Sequence, residues 1–177
     1  MAKQKGSLDF KLMSWYFMLR DIFHPPKEIL AESNVKNGMQ VLDFGCGPGS
    51  YSLAAAEMVG DKGKVYALDI NPMAVQRVQK VAEKRKLKNM EAILSDCATG
   101  LPDGSLDLVL LLDTFHELEK PQAVLAELHR VLKSDGVLSF NDHHLEKEGE
   151  IVSGVTGGGL FRLSNKGQRV YNFTKVG

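Results

Sequence analysis

Val41-Leu42-Asp43-Phe44 reads as a short strand that runs straight into Gly45-Cys46-Gly47-Pro48-Gly49, after which Ser50–Val59 has the composition of a helix that Gly60 ends. A strand that turns into a helix through closely spaced glycines opens a nucleotide-type α/β unit. Gly45 and Gly47 carry no side chain, so the backbone can turn tightly and approach a ligand. A tight turn that binds nothing would not require three glycines. The dinucleotide fingerprint Gly-x-Gly-x-x-Gly would place its third small residue at Ser50, whereas the glycine comes one position early, at Gly49. Pro48 also removes a backbone donor that a pyrophosphate would use. The loop therefore suits a ligand without phosphates better than a nicotinamide dinucleotide.

The rest of the chain extends the same rhythm. Gln40–Phe44 is the first strand and residues 64–70 the second, followed by Asn71 as a helix cap and Pro72 at the first helical position. Ala74, Val78, Val81 and Ala82 recur at helical spacing, which predicts a crossover helix with one buried face. Met90–Leu94 is a third strand, and Leu106–Leu112 is apolar almost without alternation, as a fully buried central strand is. Pro121 starts a helix carrying Val124, Leu125, Leu128, Val131 and Leu132 on one face, and Asp135-Gly136 is expected to turn it into a strand over 137–140. Residues 160–163 and 169–174 then flank Ser164-Asn165-Lys166-Gly167-Gln168, the turn chemistry of an antiparallel hairpin. Ahead of the first strand, residues 12–23 form an expected amphipathic helix rich in aromatics. Pro25-Pro26 separates it from a short helix over 27–32. Gly154 and Gly157-Gly158-Gly159 read as a flexible connection at the rim.

Composition narrows the possible functions. Lys plus Arg and Asp plus Glu are 22 each, so no charge imbalance points to nucleic acid or to an anionic membrane. The two cysteines, Cys46 and Cys97, are too few for a disulfide framework and form no Cys-x-x-Cys pair, which favours a reducing cytoplasm. No secretory signal is readable, and no apolar run approaches the roughly 18 residues of a membrane span, so a soluble protein without stable membrane insertion is expected. The economical organisation is one domain over 1–177: a helical segment at 1–34, a cofactor-binding core at 35–145, and a loop and hairpin at 146–177.

Asp69 stands at the end of the second strand, about 20 residues after the loop, where a carboxylate can accept both hydroxyls of a ribose. Asn71, not Asp69, holds the better capping position. Asp96 ends the third strand and can either accept from an adenine amino group or cap the next turn.

Together these residues resemble the class I S-adenosylmethionine-dependent methyltransferases, in particular the small-molecule group that includes the ubiquinone and menaquinone biosynthesis methyltransferases. The likeness spans roughly residues 35–140. Asp43-Phe44-Gly45-Cys46-Gly47-Pro48-Gly49 matches that family's acidic-x-Gly-x-Gly-x-Gly signature. Asp69 matches its ribose carboxylate, and Asp96 with Cys97 its adenine-end motif. Leu101-Pro102-Asp103-Gly104-Ser105-Leu106-Asp107 matches the entry to the fourth strand, and Leu132-Lys133-Ser134-Asp135-Gly136-Val137-Leu138 the turn into the fifth. The resemblance implies a doubly wound Rossmann-like α/β methyltransferase fold, a mostly parallel seven-stranded sheet with a C-terminal antiparallel hairpin. It implies S-adenosylmethionine held by Asp43, Phe44, Gly45, Cys46, Gly47, Gly49, Asp69, Ile70, Asp96, Cys97 and Asp113, and a small-molecule methyl acceptor.

Methyl transfer from a sulfonium needs placement of two ligands, and a base only when the acceptor carries a proton. Asp113-Thr114-Phe115-His116-Glu117, after the fourth strand, is the first candidate for the acceptor pocket, with His116 as a proton acceptor or else a packing or capping residue. Asn141-Asp142-His143-His144, after the fifth, is the second, with His143 the other candidate base; either histidine could pair with Asp142. In an extended segment these two histidines would point to opposite faces, so no shared metal is expected. Trp15, Tyr16 and Phe17 can wall the cofactor or a flat acceptor, or simply dock their helix.

Other acceptors fit the motifs less well. Methylation of nucleic-acid amines uses an Asn-Pro-Pro-Tyr-like tetrad where this chain has Asp113-Thr114-Phe115-His116. Cytosine methylation uses a Pro-Cys nucleophile that is missing here, and metalloid methylation calls for thiolates that Cys46 and Cys97 are poorly placed to supply. The alternatives in function are a non-catalytic protein that binds S-adenosylmethionine or S-adenosylhomocysteine and a nicotinamide-dependent oxidoreductase. With no substantial second domain, the N-terminal helices, the loops or a second subunit must cover the acceptor, and no oligomeric state is implied.

Overall fold

The computed structural model describes residues 12, 15, 17, 19–23, 25–145 and 147–177. Helix α1 (Pro26–Glu32) precedes β1 (Gln40–Phe44), α2 (Ser50–Val59), β2 (Lys64–Asp69), α3 (Pro72–Arg85), β3 (Met90–Leu94) and β4 (Leu106–Leu112). After a 3-10 turn at Phe115–Glu117 come α4 (Pro121–Val131), β5 (Leu132–Asn141), α5 (Glu148–Thr156), β6 (Phe161–Lys166) and β7 (Tyr171–Lys175). The strands form one sheet in the order β3-β2-β1-β4-β5-β7-β6. The first five are mutually parallel, and β7 runs antiparallel between β5 and β6. This is the mostly parallel seven-stranded sheet with a reversed hairpin that the resemblance implied.

The alternation of side chains across a strand explains both layers. Val41, Val65, Leu108, Leu110 and Leu112 pack on the side of α1 and α2, with Tyr51, Ala55, Ala56 and Val59. Leu42, Phe44, Leu68, Val109 and Leu111 face the other way, onto Val124, Leu125, Leu128 and Val131 of α4. Because β4 is buried on both faces, it is apolar apart from Asp107 near its start, as expected of a central parallel strand. Helix α3 begins where expected: Asn71 Oδ1 accepts the Met73 N–H at 2.9 Å, and Pro72 takes the first helical position.

Two expectations are corrected. Strand β5 begins at Leu132, directly after α4, and not beyond Asp135-Gly136. Leu132 still pairs with Leu106, and Val137 with Leu108, so residues 133–136 bulge out opposite a single β4 residue. The segment around Gly154 is no plain connection but helix α5, anchored by buried Ile151 and Val155. A Cβ on Gly154 would press on the Phe115 ring, so the glycine allows a close approach. The described residues between 12 and 23 are helical, and Trp15 there is 60% exposed; Tyr16 lies outside the described residues. Among the described residues no helix is long and apolar enough to cross a membrane.

Candidate functional site

In a doubly wound sheet the ligand crevice opens beyond the carboxyl ends of the strands, where the chain order reverses. Here β1 and β4 lie side by side, with β2 and β3 on one flank and β5 on the other. The loops leaving β1, β2, β4 and β5 therefore build the site.

The glycine loop is held by backbone bonds: Gly45 and Cys46 N–H both donate to Leu68 O, at 2.8 and 2.9 Å. Gly45, Gly47 and Gly49 all have left-handed φ, at 79°, 51° and 91°. A Cβ on Gly47 would meet nothing within 4 Å, so this part of the loop faces open space that a ligand can fill. Gly45 differs, because its Cβ would run into the Thr114 side chain, which also donates to Gly45 O at 3.4 Å. Gly45→Ala is therefore expected to cost about 2 kcal/mol or more through the clash and the positive φ. Thermal melting would show it, and an unchanged melting temperature would contradict the packing.

Asp69 braces the loop. Its Oδ2 accepts the Gly47 N–H at 2.8 Å and its Oδ1 the Asn71 N–H at 2.7 Å. A carboxylate has further lone pairs, so both bonds can persist while it accepts from a ligand. Ile70 beside it is 37% exposed. Asp96 is exposed beyond β3, and Ser95 Oγ, not Asp96, accepts the Cys97 N–H at 3.3 Å. Cys46 is buried beneath the loop, and burial holds its thiol well above the usual range, so it is protonated and unreactive.

Asp43, on β1 under the loop, is buried and accepts from Ser52 Oγ in the first turn of α2. Burial raises its pKa to about 6, against the Ser52 hydroxyl, which lowers it. Between its unfolded value of 3.8 and about 6 the native state holds more protons than the unfolded chain, so this group's contribution to stability falls as pH rises. At about 1.4 kcal/mol per pH unit the penalty approaches about 3 kcal/mol above pH 6. Asp43→Asn without ligand is accordingly expected to melt above the wild type at pH 8, with the gap closing toward pH 4. A gap independent of pH would remove this assignment.

The other half of the crevice gathers the candidate bases. Asp113 leaves β4 with a positive φ of 52° and donates its N–H to Asn141 O at 2.7 Å, continuing the β4–β5 ladder. This brings the two loops together. Asp142 has a wholly buried side chain. His116 Nδ1 lies 3.0 and 2.9 Å from its two oxygens, and the N–H groups of His116 and His144 donate to it at 2.9 and 3.1 Å. Burial works to raise the Asp142 pKa, but these hydrogen bonds outweigh it and hold the carboxyl below its ordinary value. His143 pairs with Asp113 instead, Nδ1 to Oδ1 at 2.7 Å. The expected pairing of Asp142 with the ring of His143 or His144 is thus corrected: the ring it holds is that of His116. The expected extended segment is a turn, so His143 and His144 do not diverge. Their ring centroids lie 4.1 Å apart with the planes tilted by 41°, and the His144 centroid lies 3.8 Å from that of His116.

Arg20 was not singled out from the sequence. Its guanidinium lies 4.2 Å from the Phe17 ring centroid and 5.0 Å from that of Tyr51, and it approaches Asp113 at 3.5 Å and Asp21 at 2.9 Å. A charged pair, Arg20-Asp21, interrupting an otherwise apolar and aromatic helix was the available signal. Asp113, expected with the cofactor residues, is engaged by Arg20 and His143 on the β5 side.

Comparison with known proteins bears on the family. A family model described as a methyltransferase domain matches residues 35–173. A demethylmenaquinone methyltransferase of Geobacillus stearothermophilus is 32% identical over 112 residues, 63% of this chain and 48% of that protein. An aklanonic acid methyltransferase of Streptomyces sp. strain C5 is 37% identical over 106 residues, 58% of this chain and 47% of that one. The chain thus spans about half the length of these curated relatives. The crystal structure of a SAM-dependent methyltransferase from Aquifex aeolicus superposes with a TM-score of 0.76 at 32% identity, covering 85% of this chain and 88% of that one.

Proposed function

Because the chain belongs to the methyltransferase domain family, of the class I S-adenosylmethionine-dependent type, we propose that it methylates a small organic acceptor that gives up a proton, with His116 taking that proton. S-adenosylmethionine, the cofactor of that family, supplies a methyl group on a sulfonium whose sulfur leaves with the bonding electrons. The open side of Gly47 and the carboxylate of Asp69 suit an adenosine without phosphates. In this reading Asp69 holds the ribose hydroxyls, Ile70, Asp96 and Cys97 border the adenine, and Asp43, Phe44, Gly45, Cys46 and Gly49 shape the loop.

The observation that carries the acceptor chemistry is the His116–Asp142 pair. With Nδ1–H donated to a buried carboxylate, the imidazole is fixed as the tautomer whose Nε2 carries the lone pair. Nε2 stands 3.9 Å from Glu117 Oε1, beyond hydrogen-bond length, and can accept from a ligand. A histidine used only for packing would need no charged partner for Nδ1. The acceptor class is a hydroxyl or an acidified carbon. The relatives named for demethylmenaquinone and aklanonic acid support a small organic acceptor over nucleic acid, as does the balanced charge. The helical segment, core and C-terminal part act as one unit in this reading. The free thiols of Cys46 and Cys97 favour a cytoplasmic setting.

The test is formation of S-adenosylhomocysteine with a panel of phenols, enols and amines. Turnover with phenols or enols supports the reading. Saturable cofactor binding without turnover of any acceptor points to a non-catalytic binder, and turnover confined to amines moves the proton away from His116.

A further inference from the structure

We propose that Asp113, Asp142 and His143 bind one divalent transition-metal ion, of the Mn2+ and Zn2+ class, at the acceptor end of the crevice. Each residue offers one donor atom, and the three atoms lie within 4.8 Å of one another. Donors about 2.1 Å from a shared ion stand at most about 4.2 Å apart, so a small inward shift closes the set. Two carboxylate oxygens and one imidazole nitrogen suit such ions better than Ca2+, which takes oxygen alone. Three protein ligands also leave coordination positions open for water or an exogenous oxygen.

The supports of the three residues strengthen the case. Asp142 is fully buried and pinned by the N–H groups of His116 and His144, so its oxygens are aimed before any ion arrives. The ring and the N–H of His143 both address Asp113 Oδ1, at 2.7 and 3.2 Å, which binds the two loops into one unit; ligation through Nδ1 replaces the ring contact and moves the ring proton to Nε2. His143 is largely exposed, which gives an ion an entry path. An incoming cation displaces Arg20 from Asp113, where it sits at a loose 3.5 Å, and takes over neutralisation of the paired carboxylates. One oxygen of Asp142 binds the ion and the other keeps His116, so the proposed base survives.

What the ion does there depends on the methyl-transfer reading; whether it binds does not. An acceptor oxygen on an open position would become more acidic, beside the nitrogen that takes its proton.

The test is electron paramagnetic resonance of Mn2+ added to EDTA-stripped, desalted protein. One ion per chain is expected to leave the free-ion signal at micromolar concentrations. His143→Ala and Asp113→Asn, each confirmed folded by circular dichroism, should each weaken uptake at least tenfold. A free Mn2+ signal unchanged by stoichiometric protein overturns the site, and so does equal uptake by both variants. S-adenosylmethionine calorimetry in EDTA runs in parallel. Cofactor binding without Mn2+ uptake removes the metal site alone, whereas Mn2+ uptake without cofactor binding removes the methyl-transfer reading and leaves the site.

Discussion

Asp69→Ala is expected to weaken S-adenosylmethionine binding about 100-fold in a protein that still folds. Two ribose hydroxyls donating to one carboxylate form charge-assisted hydrogen bonds, each worth about 1.5–3 kcal/mol. Water entering the truncated site offsets part of that loss. A net of about 2.8 kcal/mol remains, which is two decades in Kd. Asp69 also holds the Gly47 and Asn71 N–H groups, so the variant loosens the loop facing the ligand. Asp69→Asn separates these effects: it keeps one carbonyl acceptor but no charge, and is expected to lose about 10-fold. Calorimetry against a circular dichroism control reads both. Ordinary affinity in folded Asp69→Ala would remove the ribose assignment and leave Asp69 as a loop brace.

His116→Ala is expected to lower turnover by about 10²–10⁴-fold, the usual worth of a positioned general base. The Kd for the cofactor should change by less than about 3-fold, because nothing assigns His116 to the adenosine side. Asp142→Asn removes the charge that fixes the His116 tautomer and leaves one carbonyl oxygen where the N–H groups of His116 and His144 each use their own carboxylate oxygen, so it should lose turnover together with some stability, read by thermal melting. A packing histidine would behave differently. Its loss would lower the melting temperature and scale all activities by the folded fraction. Full turnover in folded His116→Ala would return His116 to that role and shift the proton question to His143.

The parts of the fold most legible in the sequence are those where one local rule acts alone. The apolar run over residues 108–112 of β4 follows from burial on both faces, and Asn71-Pro72 marks the start of α3 by local capping chemistry. The misreadings fall where tertiary contacts overrule a local signal. Asp135-Gly136 has turn chemistry, but Leu132 retains its pairing with Leu106, so the strand begins early and the turn residues become a bulge. Gly154 suggested a loop, yet Ile151 and Val155 are spaced to bury one helical face, and Gly154 lets the Phe115 ring lie close, whereas Gly157-Gly158-Gly159 do form the connection after that helix. The site divides in the same way. The glycine loop and Asp69 were visible as spacing along the chain. The pairing of His116 with Asp142, and the arrival of Arg20 over Tyr51, depend on loops far apart in sequence meeting at one crevice.

Calorimetric titration of the protein with S-adenosylmethionine, S-adenosylhomocysteine and NAD in parallel tests the central claim most directly. The site described here is expected to bind the first two at single stoichiometry and to leave NAD unbound. Binding of NAD alone would contradict it and turn the search toward redox chemistry.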